Sequence, residues 1–458
     1  MTRFVLGSLF LNCQDQIYSE EYSDFIGNRS LIESKYALDC KQPLGAMFAS
    51  LYLKLSDGYE DGTVYGYYNI PKLFGLQDTG SMESSGILQV RENPDLKLDG
   101  SGVLIGFVDT GIDYAGSIFL KQDGTTRVIA IWDQTIPAES PIRLPELPTT
   151  LENITRTPEG FLYGSEFTHE QLNAAVKMED AYEGISSRDE IGHGTFLASI
   201  AAGNELPDGS FTGAAPKADI AMVKLKPAKN RLRAYYQIKE DAAAYQENDI
   251  MAGVLYLVSL AKKRQQPLVI CLGLGTNAGS HRGGLPLARM LEELGSSVGI
   301  TIVAGTGNET ARGHHFEGQI SSENGYEDVE IRVAEGENGF FLELWANAPE
   351  TYSVAIRSPN GEVIPRIYVR PGRIEILNFA LAQTRVELSY RLSVTGTGEF
   401  LALLRFINIT PGVWTVRVYN DLFITGHYHM WLPIESFLRQ DTVFLRPSEF
   451  ITLTSPSD

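Results

Sequence analysis

The segment IGFVDTGID, residues 105–113, decides the fold. With Val103 and Leu104 before it, it is a near-continuous apolar run, as expected of a strand covered on both faces in a parallel sheet. The strand ends on Asp109, and Thr110 and Gly111 permit a tight turn directly after it. Ligands of open α/β sheets bind beyond the carboxyl ends of the strands, so Asp109 stands where chemistry is expected. Strands ending in such a turn are common, and the same position suits a sugar hydroxyl or a metal ion.

Working outward, EIGHGTFLASIAAG (residues 190–203) places His193 between Gly192 and Gly194 at the start of a helix rich in small residues. The flanking glycines let the backbone approach a partner closely, and the helix aims the ring from its first turn. The strand pattern recurs in DIAMVKLK (219–226), PLVICLGL (267–274) and GITIVAGTG (299–307). Helices are expected between them at 193–203, 231–247, 250–262 and 285–294. The result is a doubly wound, mostly parallel α/β sheet. A proline-rich, acidic stretch from Thr135 to Arg188 reads as a surface excursion with a small helix around HEQLNAAVKMEDAY (169–182). After the last of these strands comes Asn308. An amide there can donate into negative charge developing on a carbonyl oxygen, worth about 3 to 4 kcal/mol when aligned; it can equally close a turn.

Beyond Phe316 the hydrophobic period changes to two. Eight short strands, from FFLELWA to HYHMWLPI, predict a β-sandwich of jelly-roll type. Trp345, Tyr352, Trp414, Tyr428 and Trp431 are read as sandwich core, the alternative being a carbohydrate-binding face. Before the α/β unit, YSEEYSDFIG (18–27) reads as a short acidic helix and GAMFASLYLKLS (45–56) as a strand or short helix. The polar, turn-rich NPDLKLDGSG (93–102) forms a junction. The expected organisation is therefore an N-terminal unit and linker (1–95), an α/β core (96–315), an inserted sandwich (316–440) and a return to the core (441–458).

The net charge of -19 argues against nucleic acid as a partner. Cys13, Cys40 and Cys271 are too few and scattered for a disulfide framework or a thiolate zinc site. The brief apolar start MTRFVLGSLFLNC has neither a basic leader nor a clear cleavage site, and no 18-residue apolar run exists, so no membrane span is expected. Cytoplasmic synthesis is expected, with any extracellular role reached by another route. Acidic pairs such as Asp189-Glu190 and Glu327-Asp328 lack regular oxygen-ligand spacing, and His314-His315 and His427-x-His429 lack a third ligand. No metal or cofactor is expected.

VDTGID, GHGTFLASIAAG, GAAPKADIAMVKL (213–225), LGLG (272–275) and AGTGN (304–308), in this order, resemble the subtilisin-like serine proteases. IWDQTI (131–136), LGLGTNAGSHRGG (272–284) and the inserted sandwich are similar to the clostridial Csp-type germination proteases within that family. The resemblance covers roughly residues 96 to 458 and implies a serine endopeptidase made as a zymogen, with residues 1–95 as a prodomain that aids folding and inhibits. Asp109 would orient His193, His193 would act as general base and then acid, and Asn308 would supply an oxyanion donor. Leu272, Gly273, Leu274 and Gly275 would hydrogen-bond an extended polypeptide substrate, in some relatives a protein zymogen.

The resemblance departs from the family at the nucleophile. The family's Gly-Thr-Ser-x-Ala is absent: Gly194-Thr195, Gly275-Thr276, Gly305-Thr306 and Gly396-Thr397 are followed by Phe, Asn, Gly and Gly. Ser455 and Ser457 flank a proline with no helix after them, and Ser280, before His281, would need an unrelated arrangement. A serine-bearing C-terminal segment, missing or supplied as a separate piece, is expected to complete the site. The alternative is a regulatory pseudoprotease of the same family that signals or binds.

Overall fold

A computed structural model describes residues 13–36, 40–54, 66–76, 98–144, 154–206, 211–323 and 325–448. Nearly all of the apolar start, residues 93–97 of the junction, Ser455 and Ser457 lie outside the described residues.

The N-terminal unit is a three-stranded antiparallel sheet of β1 (Tyr22–Asn28), β2 (Lys41–Leu44) and β3 (Phe48–Lys54), with β3 central. The acidic helix expected at 18–27 is instead a strand. The helix Cys13–Tyr18 stops there, because Phe25 and Ile26 are buried and Tyr22–Asn28 pairs along its whole length with β3. Cys13 and Cys40, expected to be unpaired, form a disulfide with their Cα atoms 5.4 Å apart. After this sheet the chain runs out as β4 (Leu73–Leu76).

The core sheet has six strands in the order β12-β10-β5-β8-β6-β7. These are β5 (Leu104–Asp109), β6 (Val128–Asp133), β7 (Ser165–Thr168), β8 (Asp219–Lys224), β10 (Leu268–Leu272) and β12 (Ile300–Ala304). All neighbours pair in parallel except β6 with β7. β5 is central and buried at every position, which is why its residues read as continuous apolarity. The helix Glu247–Arg264 covers one face, and His193–Ala202 packs on the other against β5.

Two expectations fail in the core. Residues 135–188 are more than a surface excursion: β7 extends the sheet, and Tyr163, Phe167 and Leu172 are buried, with Tyr163 packed on Trp132. The single helix expected over 231–247 is broken. The helix Asn230–Tyr235 ends, and Tyr245–Gln246 (β9) is drawn into pairing with β4 before Glu247–Arg264 begins. A helical pattern cannot reveal that a distant strand claims those backbone groups.

The sandwich packs a six-stranded sheet on a five-stranded one, all antiparallel. The first contains β13 (His315–Gln319), β15 (Gly339–Ala346), β18 (Ile374–Phe379), β19 (Thr384–Arg391), β20 (Phe400–Ile407) and β22 (His427–Trp431). The second contains β14 (Tyr326–Val333), β16 (Thr351–Arg357), β17 (Val363–Ile367), β21 (Gly412–Leu422) and β23 (Val443–Phe444). β13, β14 and β23 are additions to the eight expected strands. Because β23 pairs with β14, residues 441–448 stay with the sandwich rather than returning to the core. Tyr352, Trp414 and Tyr428 are fully buried and Trp345 and Trp431 nearly so, which leaves none of the five as a carbohydrate platform. A shared apolar cluster containing Leu73, Leu232, Phe341, Trp431 and Phe437 joins the N-terminal unit, core and sandwich. No helix among the described residues is long and apolar enough to cross a membrane.

Candidate active site

Asp109 ends the central strand and is 1% exposed. The helix that begins at His193 brings its ring over that strand end, with Nδ1 2.8 Å from Asp109 Oδ1. The Thr110 N–H also donates to Oδ1, at 2.7 Å. Oδ2 is buried without a hydrogen-bond partner among the described residues. Burial raises the Asp109 carboxyl above its ordinary value, and the hydrogen bond and charge of His193 offset this only in part. With Nδ1–H donated to the carboxylate, the basic lone pair of the imidazole is on Nε2, and protonation there would set a cation beside a buried anion.

The helix start is held by Asp189, which sequence reading treated only as part of an acidic pair. Its Oδ1 accepts from the Gly192 N–H at 2.8 Å and the Thr110 hydroxyl at 2.7 Å. Its Oδ2 accepts from the Thr195 N–H at 2.8 Å and hydroxyl at 2.7 Å. Thr110 Oγ1 in turn accepts from the Gly194 N–H at 2.9 Å. Asp189 thus ties the turn after β5 to the first turn of the histidine helix. Burial works to raise its carboxyl, but the hydrogen bonds from Thr195 and Thr110 outweigh that and hold it below the ordinary value. The signal in the sequence was an acidic residue just before a helix N-terminus.

The LGLG residues begin on Leu272, the last residue of β10, whose neighbour is β5. Gly273 sits against the pair: a Cβ there would meet Leu197 Cδ1 at 2.4 Å and His193 Cε1 at 3.1 Å. Gly273→Ala is therefore expected to turn the imidazole away from Asp109, read as loss of the hydrogen-bonded His193 Nδ1–H proton resonance. That resonance unchanged in the purified variant would contradict this close approach.

Leu274–Gly275 form β11, which pairs antiparallel with β4 in the register Leu274↔Leu76 and Gly275↔Gly75. On its other side β4 pairs with β9, giving a three-stranded sheet β11-β4-β9. The N-terminal unit thus lays an extended segment along the substrate strand expected from sequence. Phe74 of that segment is fully buried. Asn308 lies in the loop after β12, exposed, at the same sheet edge as Leu272, whose carbonyl accepts from the Gly305 N–H at 3.2 Å. Ser280 lines a cavity with His281, Trp345 and Glu399 on the sandwich side. Cys271 does not offer a thiolate beside Asp109, because burial, and secondarily the Asp109 charge, pushes its thiol up to about 12.

A parallel sheet thus carries a buried acid at the end of its central strand, in contact with a histidine that opens the helix above it. The subtilase family model matches residues 100–337, just over half of the chain, and the chain belongs to that family. It is similar to the structure of the CspB protease of Clostridium perfringens, with a TM-score of 0.67 and 26% identity over 82% of this chain and 70% of that one. The Arabidopsis thaliana subtilisin-like protease SBT3.8 is 31% identical over 133 residues, 27% of this chain. The chain spans 16% of the length of that plant protease. The family model and the CspB likeness together support a Csp-type subtilisin-like protease.

Proposed function

We propose that this chain is the acid–base part of a subtilisin-type endopeptidase of the Csp branch that hydrolyses peptide bonds through a serine acyl-enzyme. The observation that carries the reading is the Asp109–His193 pair, 2.8 Å apart, beside a strand already engaged by an extended peptide segment. His193 takes the proton of a serine hydroxyl and returns it to the leaving amine, and Asp109 orients the ring and stabilises its charged form. Asn308 donates to the oxyanion, and Leu272–Gly275 bind the substrate main chain. The N-terminal unit acts as the inhibitory prodomain, with β4 in the place of substrate.

The serine is assigned to a segment outside residues 1–458. Supporting this is a sheet face that the described residues leave partly exposed. Cys271 pairs with Val303 and Val269 with Thr301, so the four share one face. Val303 is 50% exposed, and Phe196 on the histidine helix 47%.

The test is labelling of the full-length reading-frame product with a fluorophosphonate. Covalent labelling of folded protein, lost in His193→Ala, is expected; no labelling once the N-terminal unit is removed would favour a regulatory pseudoprotease. Gly75 provides a second readout. A Cβ there would meet Ile434 Cδ1 at 2.5 Å and Ser436 Oγ at 2.8 Å, so Gly75→Val should expel β4 from the cleft. Labelling is then expected to be at least tenfold faster than in the parent, and an unchanged rate would exclude β4 as the inhibitory segment.

A further inference from the structure

Of the seven histidines in the chain, His281, His315, His427 and His429 gather at one end of the six-stranded sandwich sheet, around Trp431. His427 and His429 alternate along β22 and so share a face. Sequence reading found no third ligand for them. The register of β13 on β22 supplies one, because Glu317 pairs directly with His429.

We propose that Glu317, His427 and His429 bind a divalent transition-metal ion of the zinc class. One potential ligand atom from each lies within 4.8 Å of the others, and His427 Nε2 is 2.5 Å from Glu317 Oε1. Two imidazoles and a carboxylate are a donor set that zinc accepts, leaving one position for water or a further ligand. Both histidines also line a cavity of about 190 Å³, with His281 and Trp345 among its other walls. His315 does the orienting: its Nε2 is 3.0 Å from His429 Nδ1, and its ring stacks on Trp431 at 3.9 Å between centroids. The nearby cation Arg282 is paired with Glu399 at 3.3 Å.

An ion here would fasten β13, by which the chain enters the sandwich, to β22 beside it. The segment just after β22 reaches the cleft: the Leu432 carbonyl accepts from Asn277 Nδ2 at 3.1 Å, and Ile434 packs against Gly75. The assignment does not depend on the proteolytic reading, because none of the three ligands belongs to the Asp109–His193 pair.

The test is titration of EDTA-stripped, desalted protein with ZnCl2 by calorimetry, paired with Cu2+ electron paramagnetic resonance. One equivalent is expected to bind, with nitrogen coupling from two imidazoles and a rise in Tm on addition of the ion. His427→Ala/His429→Ala should weaken binding about 100-fold or more, and Glu317→Gln and His315→Ala about 10- to 100-fold each. His193→Ala should leave it unchanged. Glu317→Gln alters a half-exposed side chain, so its result stands even if the double variant misfolds. No bound equivalent in the parent protein, equal affinity in Glu317→Gln, or loss of binding in His193→Ala would overturn the assignment.

Discussion

Replacing His193 with alanine is expected to lower peptide-bond hydrolysis by the complete polypeptide about 10⁶-fold, and Asp109→Asn about 10⁴-fold, the losses that triads of this type show. The smaller loss for Asp109 follows from its role: it orients and stabilises the imidazole without exchanging a proton with substrate. The same variant should move stability the other way. Burial, ahead of the His193 hydrogen bond, raises the Asp109 carboxyl. A carboxyl that holds its proton more tightly in the folded than in the unfolded chain removes stability as pH rises from its unfolded to its folded value. Above that window the penalty is fully present, and an amide of the same shape relieves it. Asp109→Asn is therefore expected to match or exceed the parent in Tm while losing activity. A variant with activity within tenfold of the parent, or one that is inactive only because it unfolds, would contradict this division of roles.

The second large effect is expected where the N-terminal unit meets the core. Asp249, in the first turn of the Glu247–Arg264 helix, holds Lys226 with Nζ 2.7 Å from Oδ2 and accepts from the Tyr163 hydroxyl at 2.8 Å. Beside it, Lys229 Nζ lies 2.5 Å from Asp24 Oδ1 on β1, and Gln246 and Asn248 donate to the other Asp24 oxygen. All of these side chains are buried. Asp249→Asn leaves the Lys226 charge in the interior without its counter-ion and is expected to cost about 3 to 5 kcal/mol, read as a lower urea midpoint. Removing both charges in Lys226→Met/Asp249→Leu should recover most of that loss, because the desolvation penalty goes with the pair. A loss under about 1 kcal/mol in Asp249→Asn would mean that water reaches Lys226.

The Asp109–His193 pair was legible because each residue is announced by its own neighbours. Asp109 ends a strand whose apolarity is continuous, and His193 opens a helix between two glycines. Asp189 was visible as an acidic residue but not as the anchor of that helix, since its partners Thr110 and Thr195 lie on two elements that meet only in the fold. Strand β1 was misread because Tyr18–Glu21 is polar and acidic, and its pairing with β3 outweighs local propensity. The zinc-class ligands show the same limit: His427 and His429 are two apart, but Glu317 is separated from His427 by 110 positions and joins them only through strand register.

By itself, the sequence determined the doubly wound sheet, the sandwich after it and the positions of Asp109, His193 and the LGLG strand, because these depend on periodicity and on residues within one element. Only the tertiary structure decided what touches what. It placed β4 on Leu274–Gly275, broke the helix expected before Glu247 to do so, set Gly273 against the imidazole and gave His427 and His429 their carboxylate. Each of these is a contact between chain segments far apart in sequence, fixed by backbone hydrogen bonds and burial that no local pattern records.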